Sequence, residues 1–188
     1  MKNKIRIKTI AIITSVILFL AVTPVISYYL SGINPEVSLA RYVRTEYTLD
    51  YQEFAKYCAY DADGLLKEMY KDSGYTTKVI TAILAEQSQK AVAELKEIYG
   101  YDFKITITIT GSRPFKESMF QNSIAGIEST FEYLEYDLSQ VIDIGKITEM
   151  IEYEYEVLIA GSKGEMIHQG AMLMAKVKSR WGALPNMF

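Results

Sequence analysis

From Thr9 to Asn34 the chain reads TIAIITSVILFLAVTPVISYYLSGIN, without a single Asp, Glu, Lys, Arg or His. Thr9 to about Leu30 is long enough to cross the ~30 Å hydrocarbon layer of a bilayer as a helix. The tip ahead of it, MKNKIRIK, has only Lys2, Lys4, Arg6 and Lys8 as charges, and basic flanks stay on the cytoplasmic side. The expected organisation is therefore a cytoplasmic basic tip at 1–8, a transmembrane anchor or signal peptide at 9–30, and an extracytoplasmic domain at 33–188. Two readings of the leader stand side by side. Tyr28 and Tyr29 resemble the aromatic belt of a retained anchor. Alternatively, Pro24 breaks a signal-peptide helix and a cut near Ser27 releases the rest. The retained anchor is the favoured reading, and both send the domain outward.

Charge and cysteine content narrow the function classes. Setting aside the four cations of the tip leaves 16 Lys and Arg against 23 Asp and Glu. That acidic balance, with no basic stripe, argues against nucleic acid, which demands clustered cations. The single cysteine, Cys58, permits no internal disulfide, so packing must hold the core. It lies far downstream of the leader, where VISYYLSG offers no acylated cysteine of the lipoprotein kind. Cys58 is expected as a small buried residue on a helix, not as a reactive thiol.

Along the outer domain the hydrophobic period changes from helical to extended. Asn34-Pro35-Glu36 reads as a cap, a proline at the first helical position and an acid at the positive dipole end. Asp50 with Glu53 has capping-box spacing and opens a helix carrying Tyr51, Phe54, Ala55 and Cys58 on one face. A short helix follows over Leu65–Lys71. Thr77–Tyr99 predicts the clearest helix, with Ile80, Ile83, Leu84, Gln87, Ala91, Leu95 and Ile98 as its core stripe and Gly100 as its stop. Phe103, Ile105, Ile107 and Ile109 then alternate with Lys104, Thr106, Thr108 and Thr110, a half-buried strand. Gly111-Ser112-Arg113-Pro114 reads as a turn into a helix with Phe120, Ile124, Ile127, Phe131 and Leu134 inward. The last third reads as a long hairpin turning at Gly161-Ser162-Lys163-Gly164. Its first arm sets Ile147, Ile151, Tyr153, Tyr155, Val157 and Ile159 against an outer row of Glu152, Glu154 and Glu156. Its return arm, Glu165 to Trp181, is apolar on both faces and belongs in the middle of a sheet or under a helix.

No residue set announces catalysis. His168 is the only histidine and has no second ligand at metal-binding spacing. Asp61-Ala62-Asp63-Gly64 resembles part of a calcium loop but lacks an oxygen position, and it reads as a turn with a helix cap. Nucleophile-elbow, phosphate-loop and dinucleotide patterns are absent. No catalytic residue, metal ligand, cofactor-binding residue or cofactor is therefore assigned. Fifteen tyrosines raise the question of a binding surface, although sealing a disulfide-free core is the simpler role. If a pocket exists, Tyr153, Tyr155, Met172 and Met174 are expected near it.

The order of elements is helices, the strand after Tyr99-Gly100-Tyr101-Asp102-Phe103-Lys104, a polar helix, and a hairpin leading to Lys178-Ser179-Arg180-Trp181-Gly182-Ala183-Leu184. This order resembles the cone-shaped α+β fold of the nuclear-transport-factor and cystatin-like superfamily, in particular small outer-surface domains of Gram-positive bacteria. The resemblance covers about Tyr75 to Leu184. It implies helices packed on a curved antiparallel sheet ending in a long hairpin, and an envelope location. It carries no active-site residue, because no paired Asp/Tyr or Asp/His matches the catalytic positions of the superfamily's enzymes. The expected function is a membrane-anchored or secreted envelope protein whose outer domain binds a protein or small ligand without catalysis. The alternative is a scaffold subunit of a conjugation or type IV secretion-like assembly, and the third is a pocket-based isomerase or hydratase. Expected partners are the bilayer through residues 9–30, an unknown protein or small ligand, and further copies of the chain.

Overall fold

The four helices ahead of the first strand each begin where a side chain supplies an acceptor for free amides. The computed structural model describes residues 32–184, so the tip and the anchor expected at 9–30 lie outside the described residues. Among the described residues, no helix is long and apolar enough to cross a membrane. Helix α1 spans Pro35–Thr48, and Asn34 Oδ1 accepts from the amides of Glu36 and Val37 at 2.9 and 3.1 Å. Asp50 caps α2 (Tyr51–Lys56) through the amide of Glu53, while the Glu53 carboxylate pairs with Lys56 instead of completing a capping box. Asp61 caps α3 (Ala62–Met69), accepting from the amide of Gly64 at 3.0 Å. Thr76 opens α4 (Thr77–Tyr99), and Gly100, at φ +104°, ends it.

The remainder is an antiparallel sheet crossed by one helix. Strand β1 spans Lys104–Pro114, α5 spans Glu117–Tyr133, and two short 3-10 turns lead to β2 (Ile147–Gly161). Strands β3 (Gly164–Val177) and β4 (Arg180–Ala183) complete the order β1-β2-β3-β4. The fold is α+β with a long hairpin, as expected, and several local expectations are corrected. Gly111–Pro114 is not a turn: a bulge after Ile109 shifts the register and the strand runs on, pairing Pro114 with Ile151. An edge strand tolerates that proline because no further strand needs its amide. The return arm does not run unbroken to Trp181, because the chain reverses at Lys178-Ser179 with Lys178 at φ +58°. Cys58 lies beyond the end of α2, bridged to Ala183, and is not on a helix.

Two cores hold opposite faces of the sheet. Neighbouring residues of a strand point to opposite sides, so the pairs Ile151–Met174 and Met150–Ala175 belong to different faces. On the first face Leu39, Tyr42 and Val43 of α1 pack over Tyr153, Tyr155, Val157, Ile159, Met172 and Met174. On the second, Ile124, Ile127 and Phe131 of α5 join Val141, Ile142, Met150, Ala175 and Leu184. Ile147 belongs to this second core, contrary to the expected first-face alignment, because an irregularity between Ile147 and Glu149 shifts its register. Leu134, expected in the α5 stripe, falls past the end of the helix and is exposed.

Trp181 closes the first core at 7% exposure. Beside it β4 meets the segment after α2. The amide of Ala59 donates to the Ala183 carbonyl and the amide of Ala183 to the Tyr57 carbonyl, both at 2.8 Å. The contact leaves no room for a side chain at Gly182, where a Cβ would stand 2.4 Å from the Ala59 nitrogen and the Cys58 carbonyl carbon. Two outcomes follow in denaturant unfolding of the full chain. Trp181→Ala is expected to cost ~3 kcal/mol or more through loss of a core aromatic, and Gly182→Ala about 2 kcal/mol through overpacking against backbone. An unchanged midpoint for either would place these residues outside the core.

Candidate functional site

The four residues expected near a pocket are brought together by the hairpin. Register places Tyr153 opposite Met172, Met174 opposite Ile151, and Tyr155 opposite Gly170. All four are buried beneath α1 as part of the first core, and none lines the three recesses described below. Tyr155 lies across Gly170, where a Cβ would fall 2.7 Å from its ring. Burial, with the nearby Glu46 charge, pushes the Tyr155 hydroxyl up to about 12. His168 is exposed on β3, opposite Val157.

The most chemically defined concavity lies where α1, α2 and α4 converge. It holds about 300 Å³, and it is lined by Thr45, Glu46, Leu49, Tyr51, Phe54, Leu84 and Gln87. Local backbone creates it. Leu49 ends α1 in the left-handed region, at φ +50°, and so turns the chain sharply into α2. Ser88 of α4 donates to the Thr48 carbonyl at 2.7 Å, tying α4 to that corner. The aromatic wall is ordered by ring contacts, 4.9 Å between Tyr42 and Phe54 and 6.2 Å between Phe54 and Tyr51. The Tyr51 hydroxyl donates to Asp63 at 2.8 Å.

Glu46 is the one charged residue lining this recess. Partial withdrawal from water raises its pKa above the usual carboxylate value, and among the described residues it forms no ion pair. A carboxylate beside aromatic and aliphatic walls suits a cation with an apolar body, which gains ion pairing and ring contact together. Nearby, α4 leaves much of its expected stripe uncovered. Ile80 is its one buried residue, while Ile83 and Ile98 of the stripe stay exposed at 44% and 58%, as does Val79 outside it. A larger recess of about 700 Å³ on α4 mixes Gln89, Val92, Lys96 and Glu97 with Lys163 of the hairpin turn. Its open walls, mixing apolar side chains with charges of both signs, single out no ligand chemistry.

Behind the aromatic wall, the Tyr60 hydroxyl lies close to Cys58 and Tyr42. The Cys58 thiol donates to the Phe54 carbonyl at 3.4 Å. Burial pushes that thiol up to about 12 and raises both tyrosines as well. Among the described residues, no group of three or more His, Cys, Asp or Glu is placed to hold a metal. Asp61 and Asp63 instead serve as a helix cap and as the acceptor for Tyr51. Sequence reasoning missed Thr45, Glu46, Leu49 and Leu84, which gather only through the Leu49 corner. The visible signal was Tyr51 and Phe54 on one helix face.

No known protein family, curated protein or solved structure matches this chain.

The raised thiol pKa sets a pH window. The folded value, about 12, exceeds the usual value of 9.0. Its contribution to stability is therefore complete below pH 9 and lost as pH climbs towards 12. Near pH 8 the native thiol stays protonated, and iodoacetamide is expected to label Cys58 at least ~100-fold more slowly than in urea. Cys58 is half-buried, and equal rates in the native and unfolded chain would contradict the shielding of its thiol.

Proposed function

We propose that the chain is a cell-envelope protein, held in the membrane by residues 9–30, whose outer domain is a non-catalytic binding module. Its partner presents a cationic group on an apolar body to the Glu46 recess. A lysine or arginine side chain on an apolar segment of another protein has that chemistry, and so does a small amphiphilic amine. The reading rests on one observation, an aromatic-walled recess whose only charge is Glu46, set beside the exposed Val79 and Ile83 of α4. Exposed apolar side chains next to a concavity favour a protein over a free small molecule. The uncharged leader and acidic domain support the envelope location and weigh against nucleic acid.

A second reading, a subunit of a larger assembly, is favoured by the edge of β3. Strand β4 pairs only with Met174–Val177, so Gly164–Leu173 has β2 on one side and no strand of the described residues on the other. Exposed Met166 and Ile167 lie on that stretch, and such edges invite further strands.

A photo-crosslinking residue at Ile83, in the full chain in its native membrane, tests the binding reading. Thr106, on the far sheet face, is the control position. Adducts are expected from position 83 and not from 106, and Glu46→Gln should reduce them by about fivefold, a loss of ~1 kcal/mol. No adduct from 83, or equal yields from both positions, would contradict the proposal. An adduct of twice the chain mass would favour the assembly reading.

A further inference from the structure

We propose that the end of the domain where the leader joins it docks on anionic lipid headgroups of the membrane that the leader crosses. This rests on residues 9–30 being a retained anchor, as proposed above. The join is fixed in space, because the Gly32 carbonyl accepts from the amide of Trp181 at 2.6 Å. Only Ser31 separates Gly32 from Leu30. At ~3.5 Å per residue, Gly32 stands within ~7 Å of the end of the anchor. Whatever surrounds Gly32 and β4 must therefore face the headgroups.

What surrounds them is a concentration of cations on an otherwise acidic domain. A recess of about 330 Å³ beside Trp181 has Lys56, Lys146, Lys178 and Arg180 in its walls, with Asp61 and Asp143 as its acids. Of the 16 Lys and Arg and 23 Asp and Glu beyond the tip, the recess takes four and two. That leaves 12 against 21 elsewhere. Backbone contacts hold the cluster together. Arg180 donates to the Lys56 carbonyl at 3.1 Å, and the amide of Lys178 to the Lys146 carbonyl at 3.4 Å. Lys56 and Lys146 have carboxylate neighbours in Glu53 and Asp143. Lys178 forms no ion pair among the described residues.

An anionic bilayer attracts this end and repels the rest, including the Glu152, Glu154 and Glu156 row on β2. The charge separation thus orients the domain on its anchor, and attraction of this kind fades within a Debye length of the surface. Free phosphate shares the headgroup's chemistry. Proximity of the recess to the end of the anchor favours the lipid as the source.

Trp181 is the only tryptophan and lines this recess, so it reports the docking directly. The full chain would be reconstituted into phosphatidylcholine vesicles, with or without about 30% phosphatidylglycerol, and with dansyl-labelled headgroups as acceptor. Energy transfer from Trp181 is expected to be at least twofold greater in the anionic vesicles. The difference should vanish in about 0.5 M salt and in a Lys56→Gln/Lys146→Gln/Lys178→Asn variant, with asparagine chosen for the left-handed position. Near-ultraviolet circular dichroism checks that the variant keeps its fold. Equal transfer in both lipids, from protein that stays with the vesicles through an alkaline wash, would overturn the docking while sparing the anchor. Protein that washes off would overturn both. Loss of the difference on adding inorganic phosphate at constant ionic strength would overturn the lipid assignment and leave a small-anion site.

Discussion

The ladder between β2 and β3 is the constraint on which the other elements depend. It runs from Ile147 opposite Val177 to Gly161 opposite Gly164, and both its faces meet apolar layers at the β4 end. An isolated hairpin is marginal in water. This one is held because α1 covers Tyr153, Tyr155 and Val157 on one side while α5 covers Met150 and Ala175 on the other. The position of α1 then decides where α2 turns, and that corner creates the Glu46 recess. The position of β4 decides where Gly32 is held, through the bond from the Trp181 amide. Both surfaces to which a function is proposed are thus consequences of how the hairpin is sandwiched.

Much of the fold was legible because it is encoded locally. Asn34-Pro35, Asp50 and Asp61 mark three helix starts in adjacent residues, and each cap forms. The Glu152-Glu154-Glu156 alternation assigned the faces of β2 for the same reason. Errors arose where a tertiary partner overrode a local signal. Gly111 and Pro114 are turn residues by composition, yet a bulge and an edge position let a strand pass through them. Ile83 and Ile98 fit the α4 stripe by spacing, yet they lack a layer to pack against. The Lys178-Ser179 reversal offers only two polar residues before Arg180-Trp181 as its signal. For the site, Tyr153, Tyr155, Met172 and Met174 were expected beside a pocket, and the hairpin gathers them in the first core instead. Their apolar bulk took them into the core, whereas the recess is built from a helix corner that no periodicity describes.

Charge gives the domain a direction. Cations gather in the recess beside Trp181, and carboxylates dominate elsewhere, with Glu46 as the one charge lining the apolar recess. An end suited to headgroups and a separate recess suited to a cation are compatible in one molecule, because they are made by different elements. The thinly covered α4 is consistent with a binding role, since segments that engage partners come from the less stable parts of a fold.

Amide hydrogen exchange of the full-length protein tests the sandwiched hairpin most directly. Amides of Tyr153–Ile159 in β2 should be the slowest to exchange, by ~100-fold or more over those of Leu84–Glu94 in the middle of α4. Exchange from the middle of α4 as slow as from β2, or a hairpin that opens first, would contradict the account.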